Sequence, residues 1–118
     1  MIEDVRHQLA SDFAHRLVSS AARTYPDLPV AEATQLKAHD LEEAGLLTEP
    51  QHHDLFLAAA WSIPDQPGQA TQPDGLAERL AADLVVRRDL FSPDEFRRLA
   101  KVELDSVAGG AGRFVADE

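Results

Sequence analysis

Leu80 to Leu104 reads LAADLVVRRDLFSPDEFRRLAKVEL, and its punctuation decides the fold. Leu76, Leu80, Leu84 and Arg88 recur every four residues, which sets them on one face of a helix, with Asp74 placed to cap its start. Ser92-Pro93-Asp94-Glu95 then supplies a helix-start signal: a hydroxyl cap, a proline where no backbone N–H is needed, and a glutamate three residues after the cap. The helix that follows carries Phe96, Leu99, Ala100, Val102, Leu104 and Val107, and Gly109-Gly110-Ala111-Gly112 ends it. Leu90-Phe91, just ahead of the cap, stands where an apolar side chain folds back onto the next helix as a hydrophobic staple. The stretch predicts a helix–turn–helix hairpin.

Upstream the layout recurs. Val30, Ala33, Leu36, Leu41 and Ala44 mark a helix that follows Asp27-Leu28-Pro29, and Gly45 falls where a left-handed C-terminal cap is expected. Thr48-Glu49-Pro50-Gln51 has the spacing of a capping box, opening a helix through Leu55, Phe56, Ala59 and Ala60 toward Trp61. Ala38-His39-Asp40-Leu41 aligns with Ala81-Ala82-Asp83-Leu84, and Leu46-Leu47-Thr48 with Leu90-Phe91-Ser92. Either the hairpin is duplicated, or two well-capped antiparallel helix pairs look alike at this level. Ahead of both, Ile2, Val5, Leu9, Phe13 and Leu17 define an amphipathic helix ending near Thr24-Tyr25-Pro26, with Asp4, His7, Ser11 and His15 on its polar face. No segment alternates apolar and polar residues as a strand would. The expected fold is all-α: about five helices in a bundle or orthogonal array, as one domain over residues 1–108. Residues 64–75, with three prolines, two glycines and three glutamines, are read as a long loop, and 109–118 as a flexible tail.

Composition narrows the function. Twenty-one acidic residues against eleven basic ones give a formal net charge of −10, a field that repels nucleic-acid phosphates and attracts a basic protein. The same acidity also serves solubility alone. Asp94-Glu95 at the start of the last helix argues further against DNA reading, so Arg87, Arg88, Arg97 and Arg98 read as surface cations paired with acids. No apolar run approaches the roughly 20 residues that span a bilayer. The acidic start Met1-Ile2-Glu3-Asp4 lacks a signal-peptide layout, so a cytoplasmic product is expected. The absence of cysteine removes disulfides, thiolate metal sites and a cysteine nucleophile.

Leu80 to Leu104 also resembles the helical segment at the start of nitrile hydratase β subunits and related accessory proteins, where a helix, a turn with an aromatic residue, and a second helix containing Asp-Glu-Phe/Trp follow one another. Leu90-Phe91-Ser92 and Asp94-Glu95-Phe96 carry the match, and Gly45-Leu46-Leu47-Thr48 echoes it. The resemblance covers about a quarter of the chain and implies an accessory or scaffolding role. It transfers no catalytic residue, because the α-subunit's cysteine motif has no counterpart in a cysteine-free chain.

Five histidines raise a metal-site possibility. Asp4-x-x-His7, Asp12-x-x-His15, Glu49-x-x-His52 and His39-x-x-Glu42 each set a carboxylate and an imidazole one turn apart, and His52-His53-Asp54 adds a cluster. The metal candidates are His7, His15, His52, His53 and Asp54, although the apolar periodicity puts them on polar faces, where histidines paired with acids are the simpler account. Ser19-Ser20, Ser62 and Ser106 lack a nucleophile-elbow context, and Gly109 to Gly112 lacks the strand and lysine of a phosphate loop. Neither a catalytic residue nor a cofactor is expected. Leu46, Leu47, Leu90, Phe91 and Trp61 are the candidates for core or interface.

These readings converge on a non-catalytic acidic helical interaction module, an accessory subunit or adaptor of an enzyme complex, with a protein partner or a second copy of itself. The alternative is an inhibitor of the immunity-protein or antitoxin kind covering a basic site. That reading requires Asp40, Glu42, Glu43, Glu49 and Asp54, or a similar set, on one surface. A histidine–carboxylate metalloprotein is the third.

Overall fold

The computed structural model describes residues 2–60 and 73–107. Over these residues the chain is all-α: α1 (Ile2–Thr24), α2 (Val30–Glu43), α3 (Glu49–Ala60), α4 (Pro73–Val86) and α5 (Pro93–Ala100), closed by a 3-10 turn at Leu104–Ser106. Strands are absent among the described residues, and no described helix is long and apolar enough to cross a membrane. Trp61, residues 64–72 and the tail 109–118 lie outside the described residues.

Helix α1 is the spine, with α4, α2, α5 and the 3-10 turn all packed on it. Its buried face runs through Ala10, Phe13, Ala14, Leu17, Val18 and Ala21, whereas Val5 is exposed. The apolar stripe is thus rotated from the one traced through Ile2 and Val5. The alanines bring neighbouring backbones close, which spacing of large residues alone does not register. Phe13, Phe91 and Phe96 meet at the centre, with Phe91 stacked on Phe96 at 5.7 Å between ring centroids and 14° between planes. Each ring contributes about 1.5–3 kcal/mol through the area it removes from water. Since Phe91 precedes the Ser92 cap and Phe96 lies in the following turn, this pair is the staple the sequence predicts.

Both hairpins form, and their turns close differently. After α2, Gly45 takes φ +81°, its N–H bonds the Glu42 carbonyl at 2.9 Å, and the Leu46 N–H bonds Leu41 at 2.9 Å. This is a Schellman closure. No glycine follows α4. There Arg6 reaches across from α1, and its guanidinium donates to the carbonyls of Leu84, Val85 and Phe91. The open carbonyls of α4's last turn thus find donors on a side chain from another helix.

Three expectations are corrected. α5 stops at Ala100 instead of running to Val107, because Lys101 and Val102 bond three residues back and Arg16 of α1 donates to the carbonyls of Leu99 (3.3 Å) and Val102 (2.8 Å). The valine and leucine beyond that point serve the core from a turn. α4 begins at Pro73, so Asp74 lies inside its first turn and residues 73–75 belong to the helix, not the loop. Finally, Leu36 is exposed while its neighbour Lys37 is wholly buried, Nζ donating to Thr24 Oγ1 at 3.0 Å and to the Val107 carbonyl at 2.5 Å. Burial pushes the Lys37 pKa below the ordinary lysine value, against the opposing pull of Asp40 and Asp105.

Candidate functional site

The α2–α3 hairpin carries the one His/carboxylate grouping with metal-ligand proximity among the described residues. Glu42 stands one turn after His39 on α2, and His52 faces them from α3. One donor atom from each of the three lies within 4.8 Å of the others. His52 Nδ1 is 3.1 Å from Glu42 Oε1, and the His39 and His52 rings sit 5.4 Å apart, tilted by 55°. His39 Nε2 is 3.6 Å from Glu43. Phe56 meets His52 edge-on at 6.0 Å, and Gln35 donates to the Phe56 carbonyl at 3.1 Å, so this end of the hairpin is tied together. His52 Nε2 is buried without a hydrogen-bond partner.

The candidates picked from sequence are dispersed by the fold. His52, His53 and Asp54 are consecutive and diverge: His52 turns to α2, His53 is exposed, and Asp54 turns to α4. His52 and Asp54 are half-buried rather than on a polar face, because α3 packs against both α2 and α4. His7 and His15 line a hollow of about 350 Å³ with Ser11, Glu78, Ala81 and Ala82. His15 also borders a cleft of about 240 Å³ with Asp12, Arg16, Ser19, Arg23 and Asp105. Of the His39–Glu42–His52 grouping the sequence showed the His39–Glu42 pair, whereas it paired His52 with Glu49, which the fold leaves outside the grouping. The missing signal was hairpin register: Gln35 with Phe56 and His39 with His52 stand equally far from the Gly45-Leu46 turn.

A second polar cluster joins α3 to α4. Asp54 Oδ1 is 3.4 Å from Arg87 Nε, and one oxygen each of Asp54 and Asp83 is buried without a donor. Desolvation, reinforced by the Asp83 carboxyl, pushes Asp54 up to about 7 against the pull of Arg87. When protonated, Asp54 has a donor to offer the neighbouring Asp83 carboxyl. Arg97 pairs with Asp94 at 3.2 Å and Arg98 with Glu95 at 2.8 Å, so these arginines lie against acids of their own helix.

Of the interface candidates, Leu47 and Phe91 are in the core, and Leu46 and Leu90 pack half-buried against it. The apolar side chains that reach solvent on the first hairpin are Leu36, Phe56 and Leu57. Of the five acids named for an inhibitor surface, two turn inward. Asp40 is buried and accepts from Tyr25 Oη at 2.6 Å, Asp54 faces α4, Glu42 meets His52, and Glu49 is exposed. Comparison with protein-family models, with curated proteins and with solved structures finds no match to this chain.

Proposed function

We propose that this chain is a non-catalytic helical protein–protein interaction module, an accessory subunit or adaptor of an enzyme complex, and that it meets its partner through the outer face of the α2–α3 hairpin. The observation that carries this reading is the exposure of Leu36 on α2 and Phe56 on α3 at matching levels of the hairpin, with His39, Glu42 and Glu43 beside them. Large apolar side chains set among charged ones are the composition of a modest, non-obligate interface. A net charge of −10 favours a partner whose contacting face is basic. The accessory-subunit part rests on the resemblance of Leu80 to Leu104 to the helical part of nitrile hydratase β subunits. The inhibitor reading has less support, since Asp40 and Asp54 turn inward and leave its acidic surface incomplete.

The test is co-purification of the untagged chain from its native extract, repeated with Leu36→Glu and Phe56→Glu. The expected result is a stoichiometric basic partner that both variants lose while their circular dichroism stays unchanged. A wild-type chain that sediments as a monomer without a partner, or as a homodimer through this face, overturns the adaptor reading.

A further inference from the structure

We propose that His39, Glu42 and His52 form a binding site for one divalent cation of the zinc class, held across the α2–α3 hairpin. Their donors come from two helices and already lie within 4.8 Å of one another. Ligands about 2.0–2.2 Å from a tetrahedral zinc stand roughly 3.3 Å apart. The 3.1 Å between His52 Nδ1 and Glu42 Oε1 therefore matches two vertices of that polyhedron as the side chains stand. His39 is the most exposed of the three and is placed to close the remaining gap, which is at most about 1.5 Å. Two imidazoles and one carboxylate suit zinc, whereas calcium and magnesium take oxygen ligands.

The surroundings set the expected strength. Glu43, 3.6 Å from His39 Nε2 and just beyond hydrogen-bond range, is the nearest carboxylate to serve as an outer acceptor for that ring once it closes on the metal. Phe56 packs on His52 and limits its swing. His52 Nε2, by contrast, has no acceptor, and a missing outer partner of this kind weakens a site about 10–100-fold. Binding weaker than at a site with both histidines supported is the consequence. The site differs from those read from sequence, because His7, His15, His53 and Asp54 contribute nothing to it, and it stands whether or not the hairpin face binds a protein.

The experiment titrates zinc chloride into the untagged full-length chain by calorimetry, with cobalt(II) absorption as a second readout. One equivalent bound, a tetrahedral cobalt spectrum and a raised melting temperature are expected. His39→Gln and Glu42→Gln, both outside the core, should each weaken zinc at least tenfold with unchanged circular dichroism, while His7→Gln leaves binding as it was. Absence of saturable binding overturns the proposal, as does affinity that survives both His39→Gln and Glu42→Gln or falls equally with His7→Gln.

Discussion

Arg6 concentrates much of the fold in one side chain. Its guanidinium serves the carbonyls of Leu84, Val85 and Phe91 while lying 5.9 Å from the Phe96 ring centroid. Several acceptors in one plane suit a planar fork of donors, which the lysine ammonium cannot reproduce. Arg6→Lys should therefore destabilise nearly as much as Arg6→Ala, by about 2–4 kcal/mol, because buried carbonyls lose their donors either way. Denaturant melts of both variants check this, and a neutral Arg6→Lys would mean that charge rather than geometry matters. Gly45 makes the opposite kind of case. A Cβ there meets nothing within 4 Å, so Gly45→Ala isolates the cost of holding φ +81° with a side chain. The expected loss is about 1 kcal/mol, read as a lowered midpoint with an unchanged denaturant slope.

At the level of helices, the two hairpins join through their caps. Thr48 and Gln51 exchange side-chain and backbone bonds as a capping box, at 2.9 and 3.2 Å, and Ser92 Oγ accepts from the Glu95 N–H at 3.2 Å. Gln51 Nε2 then donates at 2.8 Å to Glu95 Oε1, its counterpart in the other hairpin, and at 2.8 Å to the Leu90 carbonyl. Arg98 and Gln51 together hold Glu95 below the usual carboxylate range. Gln51→Ala should cost about 2 kcal/mol, more than the ~1 kcal/mol of Ser92→Ala, because the glutamine serves both caps. A double-mutant cycle of Gln51→Ala with Glu95→Ala should return a coupling of at least about 0.5 kcal/mol, and strict additivity would dissolve the link. Caps were the most legible feature of this sequence, since Thr48-x-x-Gln51, Gly45 and Ser92-Pro93 each act through neighbours within a few residues. The start of α4, the end of α5 and the burial of Lys37 were not legible. α5 ends, and Lys37 is paired, through groups distant in sequence: Arg16 at the carbonyls of Leu99 and Val102, and Val107 as acceptor for Lys37. The metal-competent grouping was half legible, its His39–Glu42 pair visible but its cross-hairpin register with His52 hidden.

For the molecule as a whole, acidity and burial give stability a definite pH dependence. Asp54 holds its proton up to about pH 7 in the folded state and only to its ordinary value near 3.8 when unfolded. Its contribution is complete at acid pH below the unfolded value and is lost as pH rises through the folded one. Easing of the net negative charge at lower pH acts in the same direction. Between pH 5 and pH 8 the melting temperature should fall by several degrees, on the order of 2 kcal/mol. Asp54→Asn, which keeps a group able to bond Asp83, should flatten that slope, and an unaltered slope would remove Asp54 from the account. The long reach of Arg6 also bears on biosynthesis. Its acceptors lie 78, 79 and 85 residues downstream, so α1 is made well before the groups Arg6 serves. At about 5–20 residues per second on the ribosome, its apolar stripe waits for roughly 4–17 seconds before Phe91 is made, longer than many small domains need to fold. Native packing of α1 thus waits until the chain through Phe91 has been made, and until then its apolar face is a surface for chaperones to meet.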